Sequence, residues 1–471
     1  MLWFLVMLLG VRTESVNPGI KMKINLKALD YGKQIGMELL KTTLLHMPIP
    51  DYQDSYSIPV AGHVEYAVTG LKVTTVNLGK TLVALVPNSR LKLSMGPAEA
   101  QVTGHWSVNS FLIKESETLK LSVENMMLAM LVEVGWDGTG HLIMSLEDCN
   151  CQIGDLNILI SEGSRWLYNI FTRVLKNVIR QELEVKLCEE IQKEMRTLQQ
   201  TLLKNISESI HISPFADLNY SLVAAPLISE QSIELDLKGE FFSPSEPTKI
   251  FPVTSSPISL WEQKKHMLLL GLSDFVANSA AFVSWGAGAL SWTFNDSQIP
   301  KKFPLRLNTE SFKGLVPEVW KQFPDVPMAL KLFARLPPSF QTHPETLHLL
   351  LPGALQAFIL PNGTSRVPVF LLHIDIKVSA QIFVVGKNIG ASLILDNFNL
   401  TLAHSDIGPF QIDKLENLLN IALKSVILPR TNRKLKEGYP LTMLPKISLQ
   451  NTVINIQKGF LAVATDVQYE S

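Results

Sequence analysis

The chain has 471 residues, of which 46% are hydrophobic and 18% are charged, and its mean hydropathy is +0.17. This length predicts two or more domains. With 42 basic and 43 acidic residues, the formal net charge of −1 gives no overall reason to expect binding to nucleic acid or to an anionic membrane. The apolar excess therefore has to lie in large cores, in internal pockets or in a membrane.

The amino terminus indicates secretion. The apolar run from Leu2 to Gly10 is too short to cross a bilayer and is typical of a brief signal peptide within residues 1–15. A secreted, extracellular glycoprotein would use Asn-x-Ser/Thr sequons as glycosylation sites. The chain has such sequons at Asn205, Asn219, Asn295, Asn362 and Asn399.

Residues 26–47 follow a helical apolar period and end at Pro48, which cannot continue a helix. The predicted helix has an apolar face that includes two glycines, and we expect these glycines to let a neighbouring element approach closely. The shared face consists of Leu29, Gly32, Gly36, Leu39, Leu40, Thr43 and Met47.

From Ser57 to Met144 the apolar period changes to two, which predicts an antiparallel meander with one buried face. A short strand up to Ile160 then leads into a long amphipathic helix from about Trp166 to Met195. Cys188 near the end of this helix could pair with Cys149 or Cys151 on the strand. A disulfide closing a loop of this length contributes roughly 4 kcal/mol in the chain-entropy model.

The second half repeats this order of elements. After strands in residues 213–242 and a proline-rich linker in 241–262, a helix-prone segment starts at Gly271 and alternating strands follow. A second helix is predicted from Ile412 to Ile427 and is expected to end at Pro429. The repeated order indicates an internal duplication.

The chain contains no HExxH, GxSxG, Walker or strand-linked GxGxxG motif, so we expect no enzyme activity, no cofactor and no bound metal. His373 and Asp375 would share a strand face but have no evident third ligand. The basic clusters at Lys264–His266 and Arg430–Lys436 border predicted turns or helix ends and are interpreted as hydrated surface charge.

Short motifs in a fixed order carry a resemblance that covers nearly the whole chain. They are VNPG (16–19), LDYG (29–32), IPDY (49–52), the 166–188 helix, NYSLVAAP (219–226), LDLKGEFF (235–242), GLSDF (271–275), LPNGT (360–364), HSDIGPF (404–410), ILPR (427–430) and DVQY (466–469). The chain resembles the family of bactericidal/permeability-increasing, lipopolysaccharide-binding and plasma lipid transfer proteins. Within that family it looks most like the long BPI-fold-containing family C.

This resemblance implies an α+β fold, a boomerang of two similar barrels. Each barrel would be a twisted antiparallel sheet wrapped around long helices, and a central sheet and the linker would join the two. The implied domains are 16–240, including the central-sheet strands, and 263–471. The resemblance also implies one apolar phospholipid pocket per barrel and a disulfide between Cys149 and Cys188, with Cys151 as an extra thiol or rival partner.

One segment departs from the family pattern. Relatives that bind lipopolysaccharide carry basic strands at the tip of the first barrel, whereas residues 93–120 here hold three glutamates and two lysines. A phosphate-rich lipid needs cations to neutralise it, so this segment argues against an electrostatic lipopolysaccharide site.

We therefore hypothesise a protein that binds phospholipid or a similar amphiphile in two apolar pockets and that can carry it. The alternative is recognition of lipopolysaccharide in innate immunity, with signalling through a partner that contacts Arg430–Lys436. The sequence gives no reason to expect nucleic acid or a transmembrane segment, and it leaves the oligomeric state open. Candidate lining residues, which could equally be plain core, are Leu167, Ile170, Phe171 and Val174 in the first barrel and Leu272, Phe275, Val276, Leu418 and Leu419 in the second.

Overall fold

The structure is a computed structural model that describes residues 17–469 apart from 59–61, 88, 112–113, 161–164, 201–207, 300–304, 364, 387 and 441–446. The predicted signal peptide and the sequon at Asn205 lie outside the described residues. None of the helices within this described part is long and apolar enough to span a membrane.

The chain forms two compact units. The N-terminal unit comprises Ile24–Ser207 and Ala225–Glu234, and the C-terminal unit comprises Met1–Lys23, Glu208–Ala224 and Leu235–Ser471.

The first part of the chain alternates one helix, a meander and a second helix. Its elements are β1 (Ile20–Asn25), α1 (Leu26–His46), β2 (Tyr52–Ile58), β3 (Gly62–Asn77), β4 (Thr81–Val86), β5 (Arg90–Asn109), β6 (Lys114–Trp136), β7 (Leu142–Ile160) and α2 (Arg165–Leu198).

Short strands follow, and the order of helix and meander then recurs. The elements are β8 (Ser209–Ser213), β9 (Ala216–Asn219), β10 (Leu227–Ile228), β11 (Ser232–Leu237), β12 (Glu240–Phe242), β13 (Leu268–Ser273), α3 (Asp274–Gly286), β14 (Ser291–Asn295), α4 (Thr309–Phe312), α5 (Pro317–Gln322), β15 (Met328–Ala334), β16 (Ser339–His343), β17 (Thr346–Ile359), β18 (Val367–Val385), β19 (Asn388–Ser405), α6 (Asp413–Ala422), α7 (Leu428–Glu437), β20 (Tyr439–Pro440), β21 (Ile447–Gln457) and β22 (Phe460–Tyr469).

The sheet of the N-terminal unit has the order β2-β3-β5-β6-β7, with β4 paired to β5, and its strands are antiparallel. The predicted alternation is confirmed, because Val64, Tyr66 and Val68 of β3 are buried while the residues between them are more exposed. α1 and α2 both contribute side chains to the core on the buried face of this sheet, such as Leu44 and Leu187.

The C-terminal unit has a second antiparallel sheet in the order β14-β15-β17-β18-β19-β20, with β16 paired to β17. Its core lies under α4, α5 and α6 and includes Phe312, Val319 and Leu415. In the same unit β13, β22 and β21 are neighbours in that order. The α+β class with curled antiparallel sheets and packed helices is thereby confirmed.

Two predicted helix boundaries are wrong. The segment from Gly271 begins as strand β13, and α3 starts only at Asp274, where the Ser273 side chain accepts a hydrogen bond from the backbone N–H of Phe275. Pro429 does not end the second helix. A π-turn at Leu423–Ile427 follows α6, and Pro429 then lies in the first turn of α7, where its missing N–H is tolerated.

Cys149 and Cys188 form a disulfide, so the predicted pairing is confirmed. The bond fixes the second half of α2 to β7. Cys151 is a free, buried cysteine, and burial raises the pKa of its thiol to about 11, with a smaller contribution from the charge of Glu184. Cys151 is therefore a packed neutral thiol at neutral pH.

The predicted role of the glycines in α1 is wrong. A Cβ atom placed on Gly32 or Gly36 would meet no neighbouring heavy atom within 4 Å, so these glycines face open space and not a closely packed partner. Leu44 is buried, whereas the other side chains of α1 are half-buried or exposed. The helix therefore contacts the sheet mainly near its C-terminal end.

We expect the double substitution Gly32→Ala/Gly36→Ala to raise the free energy of unfolding by about 1–2 kcal/mol, because alanine favours a helix interior and neither methyl group meets a neighbour. Urea unfolding followed by tryptophan fluorescence measures this change. Gly104→Ala is the control in the same unit, since its Cβ would lie 2.8 Å from Leu71 Cδ2 and should destabilise. A loss of stability in the double variant would show that α1 packs more closely than described.

We also expect Cys149→Ala/Cys188→Ala to lower the free energy of unfolding by about 4 kcal/mol, because the bond closes a loop between residues 39 positions apart. Cys151→Ala, which removes a buried thiol but no crosslink, should cost about 1 kcal/mol, as the loss of one buried atom from a core does. Denaturant unfolding under oxidising conditions compares the two. Equal losses would contradict a stabilising role of the crosslink.

Candidate functional site

A cavity of about 540 Å³ lies in the N-terminal unit between α1, the inner face of the sheet and the second half of α2. Its volume falls within the range of about 300–1,000 Å³ that is common for small-molecule sites. It is the candidate site because its walls are mainly apolar and are built from two helices and one sheet.

α1 forms one wall. The face recognised in the sequence points into the cavity, so the residues Leu29, Gly32, Gly36, Leu39, Leu40, Thr43 and Met47 all line it. Leu39 is 65% exposed, which is unusual for a leucine of an apolar face and marks an open side of the cavity. The glycines widen the space because they carry no side chain.

The sheet forms the floor. Val83 of β4, Leu93 and Met95 of β5, and Leu128 and Met130 of β6 line it. β5 and β6 are in register here, with Leu93 opposite Met130 and Met95 opposite Leu128, so their side chains form one apolar surface.

The second half of α2 closes the other side with Leu187, Ile191, Met195 and Leu198. Cys188 follows Leu187 directly, so the disulfide to β7 holds this lining segment against the sheet. Glu184, one turn earlier, accepts a hydrogen bond from the backbone N–H of Ile153 on β7 at 2.7 Å. Both contacts fix the position of the α2 wall.

Few charges border the cavity. Lys33 pairs with Asp30 at 2.9 Å, and Glu190 pairs with Lys193 at 3.0 Å. Glu194 is exposed. These groups are hydrated or paired at the border, and the walls themselves offer mainly hydrocarbon to a ligand.

A smaller apolar space of about 50 Å³ adjoins the main cavity and shares Leu44, Met47 and Leu187 with it. Its other lining residues are also apolar and include Val102, Val123 and Ile153. The shared walls extend the apolar surface from the open side of the cavity toward the core of the sheet.

Of the sequence-predicted lining residues, Leu167, Ile170, Phe171 and Val174 belong to α2 but their side chains lie outside the described residues. The described walls of the cavity include the second half of α2, and a lining role for these four residues stays a prediction. The sequence already indicated the second half of α2, because the apolar period of this helix continues through Leu187, which directly precedes Cys188.

The five predicted residues of the C-terminal unit lie in two separate places, three on β13 and α3 and two on α6. Leu272 of β13 pairs with Leu461 of β22, and Phe275 of α3 packs its ring 5.7 Å from that of Phe251. Val276 is half-buried next to Phe275 on α3.

The other two lie on α6, where Leu418 is half-buried and Leu419 packs against the core of the second sheet. A lining role for these five residues stays a prediction.

The candidate pair His373 and Asp375 is part of an ordinary surface. Asp375 forms an ion pair with Arg335 at 2.5 Å. Across the described residues no three histidine, cysteine or carboxylate side chains are grouped to hold a metal ion.

Comparison with known proteins agrees with this architecture. The model of the LBP/BPI/CETP family N-terminal domain matches residues 28–205, and that of the C-terminal domain matches residues 210–469. The cavity lies within the N-terminal match.

Full-length relatives are similar along nearly the whole chain. A bactericidal permeability-increasing protein of Sebastes schlegelii is 32% identical over 99% of this chain and 98% of its own length. The human lipopolysaccharide-binding protein is 30% identical, covering 96% and 94% of the two chains, and the human BPI fold-containing family C protein is 26% identical, covering 98% and 90%.

A crystal structure of lipopolysaccharide binding protein matches with a TM-score of 0.62 and 27% identity, over 97% of this chain and all of that one. Sequence and structure thus agree over both halves, as the motif order had indicated. The chain belongs to the LBP/BPI/CETP family.

Proposed function

We propose that the cavity of the N-terminal unit binds the acyl chains of a phospholipid or a similar amphiphile. The observation that carries this proposal is the 540 Å³ space with hydrocarbon walls and charges only at its border. An amphiphile matches this arrangement because its chains leave water while its headgroup remains hydrated.

The hydrophobic effect supplies the affinity. Each buried methylene contributes about 0.8 kcal/mol, so a sixteen-carbon chain contributes roughly 12 kcal/mol before the costs of ordering and association. This contribution depends little on ionic strength. Lipid held in this way can be carried, because the cavity needs no chemical step to release it.

Secretion is part of the proposal. A disulfide persists in oxidising compartments and is rare in the cytosol, and Cys149–Cys188 is formed here. The sequon asparagines Asn295, Asn362 and Asn399 are exposed, as an attached glycan requires, and Asn219 is half-buried.

The names of the relatives raise lipopolysaccharide as a second ligand. Its acyl chains would suit the same cavity, but the β5–β6 segment of residues 93–120 has a formal charge of −1 and offers little to its phosphates. We therefore favour a neutral or zwitterionic amphiphile. Lipopolysaccharide held through its phosphates would be released by salt, whereas lipid held by its chains would not.

The test is native mass spectrometry with lipid extraction on protein secreted from eukaryotic cells. We expect one diacyl lipid bound in the N-terminal unit, and a second one if the C-terminal unit binds lipid as the sequence predicts. In Gly32→Leu/Gly36→Leu, two new side chains enter the cavity, where a Cβ meets no neighbour within 4 Å. Displacing about four methylenes should lower the affinity about two hundredfold.

Gln34→Leu/Glu38→Leu is the matched control, because both residues are exposed on α1 and neither lines the cavity. It should retain lipid. Protein that is isolated without lipid and takes up none from vesicles would refute the proposal. Equal lipid loss in both double variants would mean that the lipid binds elsewhere.

A further inference from the structure

A helical segment of the C-terminal unit, formed by α6, the π-turn and α7, has one face fixed to the protein. Leu415 and Ala422 are buried, and Leu419 packs against the core of the second sheet. On α7 the Asn432 amide holds the edge of β19, since its Oδ1 accepts from the N–H of Leu393 at 2.7 Å and its Nδ2 donates to the Leu393 carbonyl at 2.9 Å.

The exposed surface of this segment is strongly basic. Between residues 423 and 437 the sequence has five cations and one carboxylate, Glu437, which gives a formal net charge of +4 in a chain whose total is −1. The cations are all exposed, and they are Lys424, Arg430, Arg433, Lys434 and Lys436. We call this surface the basic face.

Exposed aliphatic side chains lie among these cations. Ile421 is 63% exposed and Ile427 is 49% exposed. A helix that lies on a membrane combines basic residues with apolar ones that enter the headgroup region, and this segment presents both.

The basic face continues across the π-turn. Positions 421, 424, 425 and 427 are exposed before Leu428, and positions 429, 430, 433 and 434 are exposed after it. Ile421, Ile427 and the cations of α7 therefore belong to one run of exposed residues.

We propose that the basic face docks the protein on the surface of a bilayer that contains anionic phospholipid. Charge complementarity selects this partner, because phosphatidylserine-type headgroups create a negative surface potential that attracts each nearby lysine or arginine. Ile421 and Ile427 would add contacts with the interface that a soluble anion cannot provide. The geometry is rigid, since Asn432 and the apolar face hold the helix in place.

This proposal is independent of the cavity. The basic face lies in the C-terminal unit and needs no bound lipid, so a protein with a filled cavity should still dock. Gly32→Leu/Gly36→Leu should bind anionic vesicles like the unchanged protein, and this result separates the failure of one proposal from the failure of the other.

The experiment is vesicle flotation with the full-length protein, comparing phosphatidylcholine vesicles with vesicles that contain about one third phosphatidylserine. We expect binding to the anionic vesicles alone at about 0.1 M salt and its loss near 1 M salt, where the screening length falls to roughly 3 Å. Arg430→Gln/Arg433→Gln/Lys434→Gln/Lys436→Gln should weaken binding several hundredfold, at about fivefold per cation.

The control Lys264→Gln/Lys321→Gln/Lys377→Gln/Lys458→Gln removes the same charge from exposed, dispersed positions of the same unit. It should weaken binding no more than a few fold. An equal loss in both variants would overturn the assignment to the basic face and leave only a general charge effect. Circular dichroism of each variant establishes that it is folded.

Ile421→Ser/Ile427→Ser tests the apolar contribution and should reduce binding to anionic vesicles while preserving its salt dependence. Binding of double-stranded DNA without binding of anionic vesicles would make the partner a soluble polyanion and overturn the lipid assignment. Equal binding to both vesicle types would also overturn it.

Discussion

The structure of the N-terminal unit depends on the burial of one apolar sheet face by two helices that do not fill the space over it. Alternation along β3, β5 and β6 places an apolar surface on one side, and this surface has to be removed from water. α2 is fixed against it by the Cys149–Cys188 bond, whereas α1 buries Leu44 and leaves most of its length half-covered. The remaining gap is the cavity.

The crosslink is therefore important for more than stability. It attaches to α2 beside Leu187, which lines both apolar spaces, and it holds this wall of the cavity against β7. The position of the α2 wall is therefore set by a covalent bond as well as by packing.

The two proposed sites lie in different units and would bind their ligands by different interactions. The cavity would hold a ligand by removing hydrocarbon from water, an interaction that salt hardly changes. The basic face would hold a membrane by charge, an interaction that salt screens. The near-zero net charge of the chain is compatible with this second surface, because +4 in one short segment is balanced by acidic residues elsewhere.

The sequence by itself determined the periods, and with them the helices and strands of both halves, and its motif order identified the family and the cysteine pair. It also identified the face of α1 that lines the cavity, but a period of 3.6 says which residues share a face and not whether another element covers that face. Only the tertiary structure decided that Gly32 and Gly36 face open space, that the cavity uses the second half of α2, and that the helix continues past Pro429. The first two depend on where neighbouring elements lie, and the third depends on a shift in the hydrogen-bond register of the helix. A local sequence pattern does not encode the distance between residues that are far apart in the chain.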